Sequence, residues 1–140
     1  MAFITLFAVV RLAVAFPRES VVENLSTNVA PTGAVRYIQV HGLTDHLFNY
    51  YTWGGYLIYR GVPVFVDGRD DLYLESTEVF EDYVRSVELS VDPDRVFAGY
   101  GVKAVLMPKD LPFTRYLEAE PQRWRVVYRG RVGEVLVPAK

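Results

Sequence analysis

Asn49-Tyr50-Tyr51-Thr52-Trp53-Gly54-Gly55-Tyr56-Leu57-Ile58-Tyr59 runs directly into Arg60-Gly61-Val62-Pro63-Val64-Phe65-Val66-Asp67-Gly68-Arg69-Asp70-Asp71, and this stretch decides how the chain is read. Thr52 is placed to cap a short helix carrying Tyr56, Leu57 and Tyr59, which Gly61 ends. Pro63 to Asp67 is a short apolar run, as expected of a strand buried on both faces of a parallel sheet. Two glycines early in a helix cost about 1 kcal/mol each against alanine. That cost is accepted where a backbone must approach something closely, a second element or a ligand. The surrounding aromatics suit either packing on a sheet or stacking on a sugar or lipid.

Outward from this stretch, helical and strand patterns alternate. Ala34, Val35 and Ile38 fall at helical spacing after Thr32, with Gly42 as a stop. Residues 46–51 read as a strand. From Glu75 to Val87, the spacing of Val79, Phe80, Tyr83, Val84 and Val87 predicts an amphipathic helix. Asp92-Pro93 is a strong helix start, with an aspartate cap and proline at the first helical position. A strand over 102–107 and a short helix over 111–119 follow. Trp124–Tyr128 and Val132–Val137 flank Arg129-Gly130-Arg131 as a terminal hairpin. The fold class is α/β, a mainly parallel small sheet with helices on both faces, ending in an antiparallel β-hairpin.

The chain has 140 residues, enough for one domain with a real core. An apolar fraction of 51% against 23% charged residues marks a folded domain. Net charge is −2 and no long basic run occurs, which argues against a nucleic-acid partner. The sequence has no cysteine, so disulfides and thiolate chemistry are excluded. Residues 1–17 are almost wholly apolar, broken by Arg11. The stretch is about a turn short of the roughly 20 residues that span a bilayer. It is read as the outer end of a transmembrane helix, with Arg11 snorkelling at the interface; a signal peptide and a buried amphipathic helix are the competing readings. Residues 18–32 form a polar linker and 33–140 a single domain.

Candidate chemistry is sparse. Asp67, Asp70 and Asp71 sit at the carboxyl end of the expected strand, where a divalent cation could be held by hard oxygen ligands; the plainer reading pairs Arg69 with a neighbouring carboxylate. His41 and His46 lack zinc-pair spacing, and no G-x-S-x-G motif is present. Gly99-Tyr100-Gly101 follows a helix, so it is a helix stop and not a dinucleotide loop.

The segments Phe48–Ile58, Pro63–Arg69 and Asp71-Leu72-Tyr73, with Tyr100–Leu106 and Trp124–Tyr128, resemble bacterial polytopic membrane proteins related to dolichyl-phosphate-mannose protein mannosyltransferases. The likeness is to their extracytoplasmic C-terminal domain, which follows the last membrane helix. A more distant similarity is to the tryptophan-aspartate-tyrosine-glycine motif of oligosaccharyltransferase catalytic subunits, although Thr52–Tyr56 lacks its aspartate. In this GT-C class the catalytic carboxylates lie in the membrane portion. The resemblance therefore implies a non-catalytic, membrane-associated extracytoplasmic domain without a cofactor. It would face a membrane-embedded glycosyltransferase domain and help position acceptor or lipid-linked sugar. The ligand-facing candidates are Trp53, Gly54, Gly55, Tyr56, Asp67, Arg69 and Asp71. A small metal-dependent enzyme using Asp67, Asp70 and Asp71, and a purely structural interaction domain, are the alternatives.

Overall fold

The computed structural model describes residues 29–69 and 77–139. Within them, four strands, β1 (Leu47–Asn49), β2 (Ala104–Pro108), β3 (Trp124–Arg129) and β4 (Gly133–Pro138), form one sheet in the order β1-β2-β4-β3. β1 and β2 are parallel; β4 runs antiparallel to both β2 and β3. The fold is α/β with a mixed sheet that ends in the β3–β4 hairpin.

Two apolar clusters sandwich the sheet, because alternate residues of each strand point to opposite faces. On one face Phe48, Val105, Met107 and Leu136 pack with Tyr83, Phe97, Phe113 and Leu117. Those last four come from α3 (Thr77–Val87), α4 (Pro93–Tyr100) and α5 (Pro112–Glu118). On the other face Leu47, Ala104, Leu106 and Val135 pack with Ala34, Val35, Ile38 and Leu57. The latter belong to α1 (Thr32–Val40) and α2 (Gly54–Tyr59). Phe48 is a hub of the first cluster, its ring centroid 4.8 Å from both Phe65 and Phe97 and 5.2 Å from Tyr83.

Local chemistry sets the element ends. Asp92 accepts a hydrogen bond from the Asp94 N–H at 3.1 Å, and Pro93 opens α4 without wasting a donor. Gly101 ends that helix at φ 64°, a left-handed conformation that glycine adopts at no steric cost. Thr32 is the first residue of α1 and Pro31 its cap position. Thr52 lies inside a 3-10 turn, Tyr51–Trp53, that leads into α2. There the Tyr51 N–H donates to the Tyr83 hydroxyl at 2.9 Å, so a side chain of α3 satisfies an orphan donor.

Residues 63–67 are not a strand. Pro63 has no N–H to give a ladder, and the partner is a side chain instead of a backbone. Asn49, fully buried on β1, accepts from the Phe65 N–H at 2.7 Å and the Val66 N–H at 3.4 Å, and donates to the Val66 carbonyl at 2.8 Å. One amide thus does the work of a short ladder and covers the open edge of β1. The packed body begins before residue 33: Ala30 and Pro31 are buried, and the Val29 carbonyl accepts from Trp53 Nε1 at 3.0 Å. The expected membrane helix over 1–17 and most of the linker lie outside the described residues. Among the described residues no helix is long and apolar enough to cross a membrane.

Candidate functional site

The Trp-Gly-Gly-Tyr segment and the Val66–Asp67 dipeptide meet face to face. A Cβ on Gly54 would lie 2.4 Å from Asp67 Cβ, 2.5 Å from Asp67 Cα and 2.7 Å from the Val66 carbonyl oxygen. Only glycine lets α2 start this close to the second segment. Gly55 differs: nothing lies within 4 Å of the position its Cβ would occupy. Asn49 and Gly54 therefore meet at Val66, the first by hydrogen bonds and the second by contact.

The Asp67 carboxylate is engaged by Arg69. Oδ1 accepts from the Arg69 N–H and from Nε, both at 2.9 Å, and Oδ2 accepts from Nη2 at 2.6 Å. The Asp67 side chain is only 5% exposed while that of Arg69 is 59% exposed. The charge-assisted hydrogen bonds from Arg69 outweigh burial and hold the Asp67 carboxyl below its usual range.

Trp53, at 5% exposure, is a core residue. Its ring rests on Gly133 of β4, where a Cβ would come within 2.7 Å of Cη2, and its indole N–H is taken by Val29. Of the seven residues expected to face a ligand, Trp53, Gly54 and Asp67 are thus covered by the protein itself. Gly55, Tyr56 and Arg69 reach the surface. Asp71, like Asp70, lies outside the described residues. The Tyr56 hydroxyl accepts from Arg60 Nη1 at 2.8 Å, and the guanidinium carbon stands 5.8 Å from the ring centroid. Close by, Gln39 Nε2 donates to the Arg60 carbonyl at 2.9 Å, which ties the ends of α1 and α2 together. Val40, Ile58 and Tyr59 are exposed at these two helix ends.

The histidines have backbone partners: His41 Nδ1 lies 2.8 Å from the Tyr37 carbonyl and His46 Nδ1 lies 3.1 Å from that of Tyr100. Among the described residues, no three or more histidine or acidic side chains are grouped to hold a metal ion.

A cluster that the sequence reading did not single out lies on the opposite side of the sheet from α2. Glu134, the second residue of β4, is 2% exposed, and it forms an ion pair with Arg129, Nε lying 2.7 Å from Oε1. The same guanidinium also pairs with Glu118, the last residue of α5. A β-bulge creates this meeting. Val126 pairs with Leu136 but Tyr128 pairs with Val135, so Val127 is an extra residue. Without it Tyr128 would oppose Glu134; with it Arg129 does. Burial, and a hydrogen bond to Glu118, push the Glu134 carboxyl up to about 7. The visible signal was a glutamate inside an otherwise apolar strand, but alternation alone assigns such a residue to solvent. Glu118 also lines an open cleft of about 470 Å³ with Trp124 and Val126.

A third polar network pins the hairpin to α4. Arg123 pairs with Asp92 at 2.8 Å and with Asp94, and Trp124 Nε1 donates to Asp94 at 2.7 Å. These groups hold the helix start and are engaged with one another.

No family model, no curated protein and no solved structure matches the chain.

Proposed function

We propose that this chain is a non-catalytic, extracytoplasmic α/β domain of a membrane glycosyltransferase of the GT-C kind, apposed to the membrane and helping to position an acceptor or a lipid-linked sugar. The observation that carries the reading is the state of Asp67. Both its oxygens are taken by Arg69 and it is buried. A carboxylate so held is a poor base, nucleophile or metal ligand, because each role would first have to break a charge-assisted pair. What reaches solvent at that corner is Arg69 and Tyr56, groups suited to recognising phosphate or a sugar face. The exposed Val40, Ile58 and Tyr59 nearby, and the apolar residues 1–17, support apposition to a lipid surface.

The test uses the full chain in micelles with a polyprenyl-phosphate-linked sugar and Mg²⁺. The expected result is no transfer and no hydrolysis, with amide chemical-shift changes confined to Gly55, Tyr56, Gly68 and Arg69. Turnover that disappears in Asp67→Asn overturns the non-catalytic reading. Absence of any shift change at this corner overturns the positioning role.

A further inference from the structure

We infer that Glu118, Glu134 and Arg129 form a proton-operated latch between α5 and the β3–β4 hairpin, fastened while the two carboxylates share a proton and loosened when that proton leaves. The charge count is the first support. One guanidinium faces two carboxylates, so the fully ionised trio carries a net negative charge beneath α5, where Glu134 is nearly inaccessible to water. Placement is the second. Glu118 ends α5 and Glu134 lies on β4, so the two pairs made by Arg129 join that helix to the hairpin. A proton between the carboxyls cancels that excess and adds a hydrogen bond from Glu134 to Glu118.

The other charged groups around Glu134 do not remove the conflict. Lys109, on the β2–α5 connection, adds a positive charge that favours ionisation but ranks below the effects of burial and of Glu118. Asp110, just before α5, and Arg115, within it, pair with each other at 3.4 Å on the exposed side. Met107 is the β2 residue opposite Glu134 and carries no charge.

The direction follows from linkage. The Glu134 carboxyl is raised from an ordinary 4.5 to about 7, so the closed state binds more protons than the open state between those values. The latch is at full strength below about pH 4.5, weakens as pH rises, and levels off above about 7. Opening frees the end of α5 that forms one wall of the cleft beside Trp124 and Val126.

Amide hydrogen exchange on the full chain, corrected for the intrinsic pH dependence, tests this. The opening constant of residues 113–119 should rise about fortyfold between pH 5 and 7 and then flatten. In Glu134→Gln, which keeps the shape and removes the titration, the rise should vanish. Should that variant fail to fold, carboxyl ¹³C titration of Glu134 in the unaltered chain gives the answer, with a midpoint near 7 expected. An ordinary carboxylate midpoint near 4.5, or an unchanged rise in Glu134→Gln, overturns the latch.

Discussion

The adjacent glycines Gly54 and Gly55 should respond to alanine with opposite signs. Both lie in α2, and Gly54 has ordinary helical angles, φ −54° and ψ −47°. Backbone conformation alone therefore favours alanine at either position by about 1 kcal/mol. At Gly55 nothing lies within 4 Å of the new methyl, so that gain stands. At Gly54 the methyl would sit 2.4–2.7 Å from Asp67 Cβ, Asp67 Cα and the Val66 oxygen. Two of those atoms are backbone, and Asn49 holds Val66 by its carbonyl at 2.8 Å and the preceding Phe65 by its N–H at 2.7 Å, so the segment cannot retreat freely. Overpacking typically costs about 1–3 kcal/mol, and here the upper end applies, leaving a net loss of roughly 2 kcal/mol. At about 4 °C per kcal/mol for a chain of this size, Gly55→Ala should raise Tm by ~4 °C and Gly54→Ala should lower it by ~8 °C. Urea unfolding of both variants under identical conditions reads the difference directly. A Gly54→Ala protein as stable as Gly55→Ala would refute the close-approach account of the motif.

Asn49→Ala should destabilise by about 3 kcal/mol, because the Phe65 N–H and the buried Val66 N–H and carbonyl all lose their partner; equilibrium denaturation measures this, and a loss below about 1 kcal/mol would mean that water replaces the amide. Asp67 contributes to the acid limb. Its carboxyl lies below the usual 3.8, so its contribution is present above about pH 4 and is lost as pH falls through the lowered value. The Tm gap between the unaltered chain and Asp67→Asn should therefore be widest near pH 6 and shrink towards pH 2, and a gap independent of pH would show that the Arg69 pair contributes nothing measurable.

Much of the fold was legible because its signals are local. The period of Val79, Phe80, Tyr83 and Val84 marks α3, Asp92-Pro93 marks the start of α4, and Gly101 its end. The hairpin was equally readable from Arg129-Gly130-Arg131 between two apolar stretches. Residues 63–67 were misread because an apolar run of strand length carries no information about its partner. A buried asparagine seventeen residues away supplies the hydrogen bonds. The glycine pair signals a close approach, and only Gly54, the one that faces Asp67, makes it.

The carboxylate cluster shows the same division more sharply. Alternation along β4 gives Glu134 a face but not a depth; depth is set by α5 lying over that face, and the bulge at Val127 places Arg129 opposite Glu134. Local signals suffice for the class of fold, for both ends of α4 and for a close approach at the aromatic-glycine segment, since caps, periods and glycines act within a few residues. Only the packed fold decided that Trp53 is core, that Gly54 meets the Val66–Asp67 dipeptide, and that two glutamates from α5 and β4 share one guanidinium. Burial and charge pairing depend on what packs across the sheet, and that information is spread over residues distant in the chain.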